Sequence, residues 1–187
     1  MYYVWTIASN YPNSCWLQYD WKNNPNYLQF LDNKKIVTPT KNIVFNLNKK
    51  IKLNTFLRFD YVMSDAMPLI NEKLASIILN YAPKDIELIK AIVYQGSNTV
   101  GIYFIPLFLQ VVDCIDKKKS VYDKDLDDYT KIVFKPESLE NKIIVKAKSY
   151  EDNNPIVQEI FVNICKNEGI NGIDFYKEPF INPLYAQ

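Results

Sequence analysis

Two long runs rich in β-branched and aromatic residues, Ile86 to Gln95 and Thr99 to Val112, flank the turn-forming triplet Gly96-Ser97-Asn98. Such runs around a three-residue loop containing glycine predict a β-hairpin, the strongest hairpin signal in the chain. Pro106 in the second run has no N–H to give to a ladder, so an edge position or a bulge is expected there.

Two helices are expected around this hairpin. Asn71 is a good N-cap, and Ile70, Leu74, Ile77, Ile78 and Tyr81 recur at helical spacing before Pro83 ends the pattern. A second helix is expected over about 155–168. Asn154 is its cap, Pro155 its first turn, and Ile156, Val157, Ile160, Phe161, Ile164 and Cys165 its apolar stripe. Gly169 then supplies a left-handed residue, with Ile170 as the apolar contact that follows. Shorter strands are predicted over 1–8, 15–21, 42–47, 56–62, 129–134, 142–147 and 172–176, and a charged loop over 113–128. The fold class is therefore α+β, with antiparallel or mixed sheets and two main helices at about 71–81 and 155–168. A seam at 48–55 divides a strand-rich aromatic part (1–50) from an α+β part (51–187), and the two are expected to form one compact unit. At 187 residues and 48% hydrophobic composition, a core can be buried without staples.

Two absences narrow the chemistry. With no histidine, there can be no Ser-His-Asp or Cys-His machinery and no His-containing zinc site. The 4 glycines fall in no phosphate-cradling frame. A net charge of +1 supplies no global field for nucleic acid or an anionic membrane, and the 22 basic side chains include one arginine, Arg58. Neither nucleic acid nor membrane is expected as a partner, and no cofactor is implied. The three cysteines, Cys15, Cys114 and Cys165, are widely spaced and form no C-x-x-C, which fits free thiols in a reducing compartment. The N-terminus reads as a strand rather than a signal peptide, and the longest apolar stretch, Ile102 to Val112, is too short to span a bilayer, so the expected location is the cytoplasm.

Several clusters invite sharper readings. Asp123-x-Asp125-x-Asp127 begins like a calcium loop, but Asp128 stands where glycine is needed and Phe134 where glutamate is needed, so a solvated acidic loop is preferred. Lys117-Lys118-Lys119 is flanked by acids and reads as a solvated turn. The early aromatics Tyr2, Tyr3, Trp5, Tyr11, Trp16, Tyr19, Trp21 and Tyr27 have only Lys22 among them. They suit core packing or a protein-binding face better than base stacking. The pairs Asp60/Asp65 and Asp113/Asp116 keep a small carboxylate-based hydrolase open as an alternative.

The stretch Val111-Val112-Asp113-Cys114-Ile115-Asp116-Lys117-Lys118-Lys119-Ser120-Val121-Tyr122 resembles a V-D-x-x-D-x-x-x-S-x-Y signature. That signature belongs to bacterial immunity proteins of polymorphic toxin systems, the eleventh numbered family of such proteins, formerly a domain of unknown function. Phe59-Asp60, the helix capped by Asn71, the hairpin and Gly169-Ile-Asn-Gly-Ile-Asp-Phe175 fit the same order, so the resemblance covers about 55–176. It implies a cytoplasmic antidote that binds and neutralises a cognate toxin effector by stoichiometric protein–protein inhibition. A structural or regulatory subunit of a phage or secretion assembly is a third reading. The candidate partner-binding residues are Asp113, Asp116, Ser120, Tyr122, Asp125 and Asp128 from the motif loop, with Trp16 and Trp21 from the aromatic N-terminal part. A capping role in a turn competes for the motif residues.

Overall fold

The hairpin forms, with a tighter turn than the triplet implies. Gln95 pairs with Asn98, so the loop is Gly96-Ser97, and Gly96 has a φ of +67°. Glycine with positive φ at the first central position is the pattern of a type II′ turn, whose twist suits a hairpin.

The computed structural model describes residues 1–31, 42–125, 128–148 and 154–181. The N-terminal elements are β1 (Tyr2–Ile7), β2 (Gln18–Tyr19), α1 (Leu28–Leu31), β3 (Ile43–Asn46), α2 (Leu53–Phe56), β4 (Tyr61–Val62), β5 (Leu69–Ile70) and α3 (Glu72–Tyr81). The hairpin strands β6 (Ile86–Gln95) and β7 (Asn98–Phe108) follow. The remainder is β8 (Val111–Val112), β9 (Val121–Asp123), β10 (Asp128–Ile132), β11 (Ile144–Ala147), β12 (Pro155–Gln158), α4 (Glu159–Asn167), β13 (Ile173–Lys177) and β14 (Phe180–Ile181). The strands form a six-stranded sheet, β2-β3-β6-β7-β5-β4, a five-stranded sheet, β13-β1-β12-β11-β8, and a three-stranded sheet, β14-β10-β9. The class is the expected mixed α+β.

Several local expectations change. The hairpin's bulge lies near the turn, where Val93 pairs with Gly101 and Tyr94 with Thr99. Pro106, opposite Leu88, lies past the point where β7 pairs with β5, so it holds the edge position expected of it. Pairing of β7 with β5 is limited to Ile70 and Phe104, so past that point β7 has only β6 beside it among the described residues. The long run to Val112 is also split. Leu109 and Gln110 carry the chain out of the six-stranded sheet, and β8 pairs in parallel with β11 in the five-stranded one.

Residues 56–62 are not one strand. Leu53–Phe56 is a single helical turn that seats Phe56 in the core, and β4 is just Tyr61–Val62. A short apolar run carries too few periods to separate helix from strand. Residues 15–21 shorten likewise to a 3₁₀ turn, Asn13–Cys15, and the two residues of β2.

The third helix starts where expected, with the Asn71 side chain accepting from the Leu74 N–H at 3.1 Å. The last helix starts later than expected. Asn154 does not cap it; Pro155–Gln158 is a strand, and Gln158 takes the cap position without a side-chain hydrogen bond. The β-branched pair Ile156-Val157 serves as the middle of a sheet, between β1 and β11. Alternation along that strand feeds two cores, which a helical reading would have merged into one stripe. Ile160, expected on the stripe, is exposed. The helix ends as its sequence predicts: Ile170 N–H bonds the Cys165 carbonyl, Gly169 N–H the Lys166 carbonyl, and Gly169 has a φ of +62°.

The same alternation explains the layering. In β1, Trp5 points to the helices, meeting Phe161 at 5.7 Å and Tyr61 at 5.2 Å, while Val4 faces the other way, toward Ile132, Phe134 and Phe180. The six-stranded sheet builds a third cluster on Phe45, Phe56, Leu69 and Ile105.

Candidate partner-binding surfaces

The signature loop is a turn whose polar groups are largely engaged. Asp116 accepts from the Lys118 N–H at 3.0 Å and pairs with Lys119 at 3.4 Å, and its carbonyl takes the Ser120 N–H. What burial it has pulls its carboxyl up, but hydrogen bonds from Lys118 and Lys119 and the Lys119 charge hold it below the ordinary 3.8. Ser120 Oγ accepts from the Val133 N–H at 2.9 Å and donates to the Val133 carbonyl at 3.2 Å. It thereby closes the turn onto the segment after β10. Asp113 is 62% exposed and pairs with Lys135 at 3.4 Å. Tyr122 is 46% exposed and packs edge-to-face on Tyr129 at 5.1 Å. Asp125 is exposed and bonds Asp123 through its N–H. Asp128 begins β10 in register with Asp123. Asp127, the third acid of the calcium frame, lies outside the described residues. Among those residues no group of three or more His, Cys, Asp or Glu is placed to hold a metal ion.

A second signature residue, Asp60, is a buried knot. Its Oδ1 accepts from Asn71 Nδ2 at 2.7 Å and its Oδ2 from the Asn171 N–H at 2.7 Å, while its carbonyl takes the Asn71 N–H. One carboxylate thus joins the Phe59-Asp60 segment, the helix cap and the Gly169–Gly172 loop. Gly172, at φ +94°, lies so close that a Cβ there would collide with the Tyr61 carbonyl oxygen. Asp85, which carries no motif, does similar work, accepting from the Ile143 and Ile144 N–H groups at 2.8 and 3.0 Å. Sequence offered no signal for it, because its partners lie nearly sixty residues away.

The N-terminal aromatics divide. Trp5, Tyr11 and Tyr19 are buried, whereas Trp16 is 42% and Trp21 56% exposed. Trp21 sits on a turn pinned from several sides. The Asp20 carboxylate accepts from the N–H groups of Lys22 and Asn23 and from the Asn23 side chain. The Asn24 amide pairs with both backbone groups of Val44 in β3. Trp21 Nε1 donates to Asp65 Oδ2 at 3.0 Å, and its ring meets Tyr19 at 5.1 Å and Tyr27 at 5.4 Å, both edge-on. Asp65 Oδ1 also accepts from the Tyr19 N–H at 2.7 Å. Its loop is set by Ser64 Oγ, which accepts from Ala66 and Met67 N–H groups and donates to the Met67 carbonyl.

Beside this turn a cleft of about 210 Å³ opens where β7 loses its neighbour. Asp65, Phe30, Met67, Pro106, Phe108 and Lys146 are on its walls. The Lys146 ammonium lies 5.4 Å from the centre of the Phe108 ring, and burial lowers its pKa.

Both carboxylate pairs considered for hydrolysis are accounted for by structure. Asp60 and Asp65 each have both oxygens bonded by protein donors, Asp113 pairs with Lys135, and Asp116 has a lowered rather than a raised pKa, the opposite of a general acid. Burial pushes Cys114 up to about 11 and Cys165 up to about 12, which disfavours the nucleophilic thiolate. No helix among the described residues is long and apolar enough to cross a membrane.

Fold and surface together define a small α+β protein with an ordered, exposed aromatic face. The chain belongs to the Immunity protein family (Imm11), whose model matches residues 17–178. The match begins well before Phe59-Asp60 and takes in the aromatic segment from Leu17 onward. No curated protein matches the sequence significantly.

Proposed function

We propose that this chain binds a cognate bacterial toxin effector inside the cell that makes it and neutralises it by stoichiometric protein–protein inhibition. The family match across residues 17–178 carries this reading. An inhibitor of this kind works by covering or distorting its target, so it needs an ordered surface rather than a proton shuttle. The buried, unreactive thiols and the locally engaged carboxylates suit that role. The seating of β1 between β12 and β13 supports folding as one unit across the 1–50 and 51–187 parts.

The test is co-expression with the effector domain encoded beside this gene. Cells survive the effector only when this chain is present, and the two purify as a complex of fixed stoichiometry. Killing that persists with this chain abundant and folded contradicts the proposal.

A further inference from the structure

We propose that the Trp21 turn, with Tyr27 and Leu28 beside it and Asp20 and Asp65 at its rim, is where a basic segment of the cognate toxin docks. A lysine or arginine side chain of that segment lies against the Trp21 ring. This deepens the proposed function and rests on it.

Three observations carry the assignment. The first is exposure without disorder. Trp21 presents more than half its surface, yet its indole N–H is tied to Asp65 and its ring is braced by two tyrosines. Side chains that are already ordered lose little freedom on binding, which is why rigid aromatics anchor interfaces. The second is charge. Two carboxylates adjoin the exposed ring: Asp65 accepts from its indole N–H, and Asp20 is the residue before it in the chain. The hydrogen bond from the Asn23 side chain, then those from the Asn23 and Lys22 amides and the Lys22 charge, hold the Asp20 carboxyl below its ordinary value, so it is an anion at neutral pH. An exposed indole beside two carboxylates complements a cation, by attraction to the ring face and to the carboxylates together. Lys22 is the single opposing charge on the turn. The third is continuity. Asp65 is shared with the apolar cleft lined by Phe30, Met67 and Phe108, so a segment anchored on Trp21 has an adjoining hollow for a neighbouring apolar side chain.

The experiment measures binding of the full chain to the effector domain encoded by the neighbouring gene, by calorimetry at low and high salt. Wild type is compared with Trp21→Ala, Trp21→Phe, Asp20→Asn and, on the signature hairpin, Tyr122→Ala, each checked for fold by circular dichroism. Trp21→Ala is expected to weaken binding roughly 30-fold. Asp20→Asn is expected to weaken it several-fold and to reduce the salt dependence, with Tyr122→Ala unchanged. Trp21→Phe keeps a ring for packing, so it stays informative if the alanine variant unfolds; it is expected to bind with intermediate affinity. If folded Trp21 variants and Asp20→Asn bind like wild type, the docking site is overturned while the inhibitor reading stands. If wild type itself does not bind, both fall.

Discussion

The signature turn at 113–122 and the aromatic turn at 20–24 are both short, polar and close to a sheet edge, but they spend their groups differently. In the first, Asp116 and Ser120 spend their polar groups on the chain itself, while Asp113 and Tyr122 stay exposed. Ser120 holds Val133 through two hydrogen bonds, and Asp116 holds the next turn of backbone. In the second, the bonding groups of Asp20, Asn23 and Asn24 are equally local, but their effect is to hold one large ring out in solvent. A motif recognisable in sequence can therefore be a record of how the fold is tied, while the surface we propose for a partner lies outside the 113–122 signature. Asp60 makes the same point more strongly, since it gathers three signature segments into one buried knot.

Substitutions can break this contrast. The largest effect is expected at Asp60→Ala, which leaves the Asn71 side chain and the Asn171 N–H without their charged acceptor. At roughly 1.5–3 kcal/mol for each such bond, a loss of about 4 kcal/mol is expected in chemical denaturation. Gly172→Ala is expected to cost about 3 kcal/mol, because it combines a left-handed backbone with a collision at the Tyr61 carbonyl. Ser120→Ala should cost about 1–2 kcal/mol while leaving toxin affinity unchanged in the folded fraction. Trp21→Ala should differ from it, with a stability loss of about 1–2 kcal/mol from the Asp65 bond and the two tyrosine contacts and, in the folded fraction, a large loss of affinity. A Ser120 variant that weakens binding at undiminished stability would dissolve the contrast.

The smallest effect is electrostatic. Asp116 titrates below its ordinary 3.8 in the folded chain. Its contribution is present above the unfolded value and is lost as pH falls through the lower folded one. Asp116→Asn should therefore lower stability slightly at neutral pH, flatten the acid limb of the stability profile, and converge with wild type at low pH. Because the group is half-buried at the surface and its partner Lys119 is exposed, the change should be small and should shrink further with salt.

Much of the fold was legible in sequence, where local chemistry decides. The Asn71 cap, the Gly169-Ile170 helix end and the hairpin turn all come from single residues with strong backbone preferences. Legibility failed where tertiary pairing overrides a local pattern. Ile156-Val157 fits a helical stripe as well as a strand, and only β1 and β11 on either side decide it. The exit of the chain at Leu109 and Gln110 into a second sheet has no sequence mark. For the candidate surface, sequence reached Trp16 and Trp21 as aromatic residues with few charges around them. It did not reach Asp65 as the acceptor of the Trp21 indole, a contact across forty-four residues. Nor did it separate Trp5, which is buried, from Trp21, which is exposed; both follow similar strand-like runs.

Hydrogen exchange of the free chain and of its complex with the neighbouring effector domain tests the central contrast most directly. New protection is expected over residues 16–30 and 63–68, with residues 113–125 exchanging alike in both states. Protection centred on 113–125, with the Trp21 turn unchanged, would contradict it.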